Sequence, residues 1–142
     1  MKIKSILTSC LIAIVLFGSA SAQSGFDAFW SKFKSAVAKG DKAGVVQMTL
    51  FPFSTGYDPS AKKSEGYIKT RASFLRQFKH IFNDETDAVK CFKDATPAKE
   101  GKGYSVTCAF RNEPASAEKP FVYTFKWTKS GWRFAGFENI NE

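Results

Sequence analysis

From Tyr104 onward, apolar and polar residues alternate with a period of two, and only an extended backbone sorts such a pattern onto two faces. Tyr104, Val106, Cys108 and Phe110 share one parity; Ser105, Thr107, Ala109 and Arg111 take the other. Phe121, Tyr123, Phe125 and Trp127 repeat the pattern, and Trp132 and Phe134 begin it a third time. This predicts antiparallel strands with one face on a core. The interruptions at 97–103, 112–120 and Lys129-Ser130-Gly131 have the composition of turns. A shorter stretch, 89–92, reads as a further strand.

The N-terminal half has a different period. Phe26, Phe29, Trp30, Phe33 and Val37 recur at helical spacing, with Ser31, Lys32, Lys34 and Ser35 on the wet side. Ser24-Gly25-Phe26-Asp27 supplies a capping pattern ahead of them. Gly40 stops this helix, and Asp41 caps a shorter one that runs through Val45, Val46, Thr49 and Leu50 until Pro52. Periodicity then vanishes over 54–69, where Gly56, Asp58-Pro59-Ser60, Lys62-Lys63 and Gly66 supply turn chemistry. A connection of that length in a small domain is usually functional or mobile. Thr70 caps a third helix with the apolar face Phe74, Leu75, Phe78, Ile81 and Phe82, closed by Asn83-Asp84. Helices followed by strands give an α+β plan: three N-terminal helices packed on one face of a strongly curved antiparallel sheet. Fifteen Phe, three Trp and four Tyr, all but Phe17 beyond residue 22, make ring burial the main source of stability.

The N-terminus itself reads as a leader. Lys2 and Lys4, an apolar run over 6–17 and the triplet Ala20-Ser21-Ala22 follow the order of a secretory signal peptide cleaved after Ala22. The expected organisation is a signal peptide over 1–22 and one domain over 23–142. The run falls short of the roughly 20 residues of a membrane span, so no transmembrane segment is expected after cleavage. Leu7-Thr8-Ser9-Cys10 has the look of a lipoprotein box, but Cys10 precedes most of the apolar run. The reading is therefore soluble export, to the periplasm or beyond. Cleavage takes the net charge from +8 to +6, which favours anionic partners such as envelope polymers, acidic proteins or anionic lipid. The lysines never cluster beyond Lys62-Lys63, so nucleic acid is not expected as a partner.

Cys91 and Cys108 remain after cleavage and read as one disulfide in an exported domain. If their segments pair as a hairpin, its midpoint falls between Lys99 and Glu100, inside the 97–103 turn, and the cysteines lie opposite each other. Closing such a loop stabilises a fold by about 3 kcal/mol in the chain-entropy description. Two cysteines without supporting histidines do not make a structural zinc site, so neither metal nor cofactor is expected.

The Phe-Trp-x-x-Phe helix, the Phe51-Pro52-Phe53 break, the helix Phe74-Leu75-x-x-Phe78-x-x-Ile81-Phe82 and the closing segment from Ser130-Gly131-Trp132 to Phe137 resemble exported bacterial members of the nuclear transport factor 2-like superfamily. That group includes SnoaL-like and ketosteroid-isomerase-like proteins. The resemblance spans the chain beyond the leader. It implies a cone, in which a bent sheet wraps the first helix and leaves a cavity at its open end, and it implies dimerisation through the sheet. On function it is nearly silent, because the superfamily hosts enzymes, binding modules and assembly domains alike.

Relatives of the enzymatic kind place an Asp, His or Tyr inside the cone. His80, the single histidine, lies off the Phe74/Phe78/Ile81 face and points toward solvent by its helical phase. No Ser-His-Asp set can be assembled, and no catalytic residue is assigned. Asp58 and Asp94 are lone carboxylates that would qualify as a base only if buried. Tyr57 and Tyr67 bracket the long connection, with Arg71 beyond it, and these three are the candidate contacts for an amphipathic or anionic ligand at the cone's rim. Arg111, Lys126 and Arg133 are expected on the strand face opposite the aromatic one, as a basic surface for an acidic partner or for self-association.

Three functions follow. The leading one is an exported, non-catalytic binding module holding a small amphipathic or envelope-derived molecule. A small cofactor-free isomerase, dehydratase or hydrolase is the second, and requires a buried carboxylate beside a tyrosine. The third is an interaction module acting through the basic sheet face, whose association would weaken with salt.

Overall fold

A computed structural model of the chain describes residues 20–56 and 66–141, with side chains from Gly25 onward. The expected leader, Cys10, Tyr57 and Asp58 lie outside the described side chains. Eleven elements follow in order: α1 (Ala20–Lys39), α2 (Lys42–Gln47), β1 (Thr49–Ser54), β2 (Tyr67–Ile68), α3 (Arg71–Lys79), a π-helical segment (His80–Asp84), α4 (Ala88–Asp94), β3 (Ala98–Glu100), β4 (Gly103–Cys108), β5 (Phe121–Thr128) and β6 (Gly131–Asn139). The fold is α+β. Its six strands form one open sheet in the order β2-β1-β6-β5-β4-β3.

The helical stripe behaves as the sequence predicts. Phe26, Trp30, Phe33 and Val37 of α1 are buried against the sheet. Phe26 stacks on Tyr104 with centroids 3.8 Å apart, and Phe33 meets Phe125 at 5.3 Å and Phe134 at 4.9 Å. α1 starts at Ala20, four residues ahead of the expected Ser24 cap. Gly40 ends it at φ +66°, a conformation that suits glycine, and the Asp41 carboxylate caps α2 by accepting from the Gly44 N–H at 2.9 Å. Thr70 caps α3 through the Ser73 N–H. Phe74 and Phe78 carry the buried face of α3, whereas Leu75 is 39% exposed and does not belong to it.

Five expectations are corrected. The second helix stops at Gln47, not at Pro52, because β6 captures the chain: the Phe134 N–H donates to the Met48 carbonyl at 2.7 Å. Thr49 to Ser54 then run as β1 beside β6, and parallel to it, so the sheet is mixed rather than wholly antiparallel. Part of the expected 54–69 connection is likewise strand, since β2 pairs antiparallel with β1 at Phe53↔Ile68 and Ser54↔Tyr67.

The fourth correction concerns 89–92, which is helix. Asp87 caps α4 by accepting from the Lys90 N–H, and Ala88 and Phe92 are buried one turn apart while Val89 faces out. Cys91 and Cys108 are bonded, with Cα atoms 5.9 Å apart, but not across a hairpin. The bridge joins α4 to the end of β4, and the strand partner of Cys108 is Phe121. The 97–103 turn instead contains its own tight hairpin, in which β3 pairs with β4 and Gly101 turns the chain at φ +57°.

Candidate functional site

The space between α1 and the sheet is filled by rings. Phe33, Phe82, Phe92, Tyr123, Phe125 and Phe134 contact one another in a continuous cluster with centroids 4.9–6.3 Å apart. Tyr123 is the tyrosine at its centre. Its hydroxyl donates to the Ile81 carbonyl at 2.6 Å, and burial first, then the charge of Asp87, pushes its pKa well above the ordinary value. Among the described residues no Asp, Glu or His is buried, so no carboxylate accompanies that tyrosine in the interior. Asp94 is exposed at the end of α4.

A cavity of about 280 Å³ lies at the rim instead, where β2, the start of the π-helical segment and the last residues of β6 meet. Ile68, Ile81 and Phe137 form its apolar floor, all buried. Tyr67, His80, Gln77, Glu85, Glu138, Thr55 and Asn139 give it a polar rim. The sheet register places Tyr67 opposite Ser54. Gly56 lies at φ +93°, where a Cβ would come within 3.2 Å of the Glu138 Cβ, so a glycine there lets the chain leave β1 close over the end of β6. The His80 ring meets Phe137 edge-on at 6.2 Å.

Of the expected ligand contacts, Tyr67 borders this cavity. Arg71 is exposed in the first turn of α3 and is not part of the lining. Tyr57 lies outside the described residues. His80 is exposed, as its helical phase predicts, yet it borders the cavity together with Glu85 and Glu138. None of these three was singled out as a contact by sequence pattern. Nothing local could have found them, since His80 and Glu85, at the two ends of the π-helical segment, meet Glu138 of β6 only through the tertiary fold.

The expected basic face divides. Lys126 and Arg133 are direct cross-strand partners on β5 and β6. Arg111 does not join them, because β4 ends at Cys108 and the chain turns away. The Arg111 guanidinium donates to the carbonyl and side-chain oxygens of Asn83, and its backbone N–H donates to the Glu85 carbonyl at 2.7 Å. It clamps the loop after β4 to the π-helical segment. No described helix is long and apolar enough to cross a membrane, and no group of three or more potential metal ligands occurs among the described residues. No family model matches the chain, and no curated protein is significantly similar to it.

Proposed function

We infer that the chain is an exported binding module of the nuclear transport factor 2-like kind, without catalytic machinery, that holds a small amphipathic molecule at the rim of the sheet. The leader pattern and the packing of α1 against the sheet support the export and fold parts of this reading. The observation that carries the binding part is the rim cavity itself, an apolar floor of Ile68, Ile81 and Phe137 under a rim of Tyr67, His80, Glu85 and Glu138. Its volume, about 280 Å³, suits a small ligand rather than a steroid-sized one. Two carboxylates on the rim favour a ligand whose polar end is cationic or rich in donors, the reverse of the anion that Arg71 suggested.

Backbone amide spectra recorded during titration with octylammonium, and in parallel with octanoate, test this reading. Octylammonium is expected to move the resonances of Tyr67, His80, Phe137 and Glu138, with octanoate weaker. Shifts that leave this cluster untouched, or that favour octanoate, would overturn it.

A further inference from the structure

The opposite end of β6 carries a second surface with different chemistry. Trp132 opens that strand and Glu138 lies near its close, so the two surfaces are about 20 Å apart along the strand. The β5–β6 turn and the β3–β4 turn lie side by side there, since Gly103 pairs with Lys126 and Thr128 with Gly131. β5 overhangs β4 beyond that point, and Trp127 at the overhang is 59% exposed. Its indole meets Trp132 edge-on at 5.4 Å on one side and faces solvent on the other.

Charge around the indole is mostly positive. Lys102, Lys126 and Lys129 are exposed and Arg133 is half-buried, and none of the four is in an ion pair among the described residues. Glu100, the acid of this end, is occupied by the Ser105 hydroxyl, which donates to it at 2.8 Å. Glu100, Lys102, Lys126 and Trp127 border one shallow depression, where two lysines outnumber one carboxylate.

Phe26 stacks on Tyr104 and packs edge-on against Trp132 at 5.0 Å, and a Cβ on Gly25 would lie 3.9 Å from the Trp132 indole nitrogen. The start of α1 therefore packs against this end of the sheet. We propose that this end docks on an anionic membrane surface, with the Trp127 indole at headgroup depth and Lys102, Lys126, Lys129 and Arg133 over acidic headgroups. An indole suits the interface because it is apolar in body and polar at its N–H. Each lysine near such a surface strengthens binding by a factor of about five. The rim cavity then faces away from the bilayer and stays open.

Tryptophan emission of the protein as exported, titrated with vesicles of phosphatidylglycerol and phosphatidylcholine and with phosphatidylcholine alone, tests the proposal. Trp30 and Trp132 are 6% and 7% exposed, so a change in emission reports Trp127. A blue shift with co-sedimentation is expected on the anionic vesicles, reversed by salt, and absent on phosphatidylcholine. Lys126→Glu with Lys129→Glu should weaken binding by about thirtyfold or more. Trp127→Tyr should remove the blue shift while leaving the fold intact. Wild-type protein that ignores anionic vesicles at low salt would overturn the proposal. So would variants that bind as tightly as wild type, or a blue shift produced by soluble polyphosphate but not by vesicles.

Discussion

The Tyr123 hydroxyl donates a 2.6 Å hydrogen bond to the Ile81 carbonyl and so ties the middle of β5 to the π-helical segment that carries the rim cavity. Both residues are fully buried, so the bond has no competing water. Replacing Tyr123 by Phe would leave the carbonyl without that donor and is expected to cost about 1–2 kcal/mol in urea denaturation at neutral pH. The pH dependence has a definite sign. Burial and Asp87 raise the folded-state pKa above the ordinary value of 10.0, so the folded chain keeps a proton that the unfolded chain has lost. The contribution is complete below about pH 10 and declines as pH rises further. The Phe variant should therefore show a shallower alkaline loss than wild type.

The bridge from Cys91 to Cys108 spans 17 residues and pins α4 to β4. Cys91→Ala with Cys108→Ala should lower stability by about 3 kcal/mol in the chain-entropy description. Because α4 also buries Ala88 and Phe92, its helical signal should survive in the circular dichroism of the variant.

Gly136 lies where three strands meet. A Cβ there would come 2.8 Å from the Thr124 hydroxyl oxygen and 3.1 Å from the backbone oxygen of Ser54. Gly136→Ala is expected to cost about 1–3 kcal/mol by overpacking. Adding Thr124→Ala should recover part of that loss, a coupling that a double-mutant cycle in thermal unfolding would measure.

Tyr67 and His80 border the cavity from exposed positions. Their replacement by Ala should change stability by no more than about 0.5 kcal/mol, as surface substitutions do. The same changes should reduce the octylammonium-induced shifts at Phe137 several-fold.

What could be read from the sequence divides along a physical line. The α1 stripe, the caps at Asp41 and Thr70 and the alternation from Phe121 to Phe125 are local patterns, and the structure repeats them, whereas Phe110 and Trp127, of the core parity, are exposed and Ser105, of the other, is buried. β1 was hidden because Thr49 and Leu50 fit helical spacing equally well; its strand state is imposed by the bond from Phe134 to Met48, 86 positions away along the chain. α4 was hidden by brevity, since over four residues Val89 to Phe92 cannot distinguish a period of two from one turn of helix. Asp87, placed as a cap, was the available signal. The cysteine pair was legible but its reason was not, because spacing cannot tell a hairpin from a helix packed on a strand. Of the site, Tyr67 alone was legible. Glu85, His80 and Glu138 meet through long-range pairing, which leaves no mark on local periodicity.

Native mass spectrometry of the protein recovered from cells that express it tests the central claim most directly. It would be recorded beside a denatured, non-reduced control and beside the Tyr67→Ala, His80→Ala double variant. The account predicts a small retained mass that is lost on denaturation and depleted in the variant. A bare chain in every preparation, or the same retained mass in the variant, would contradict it.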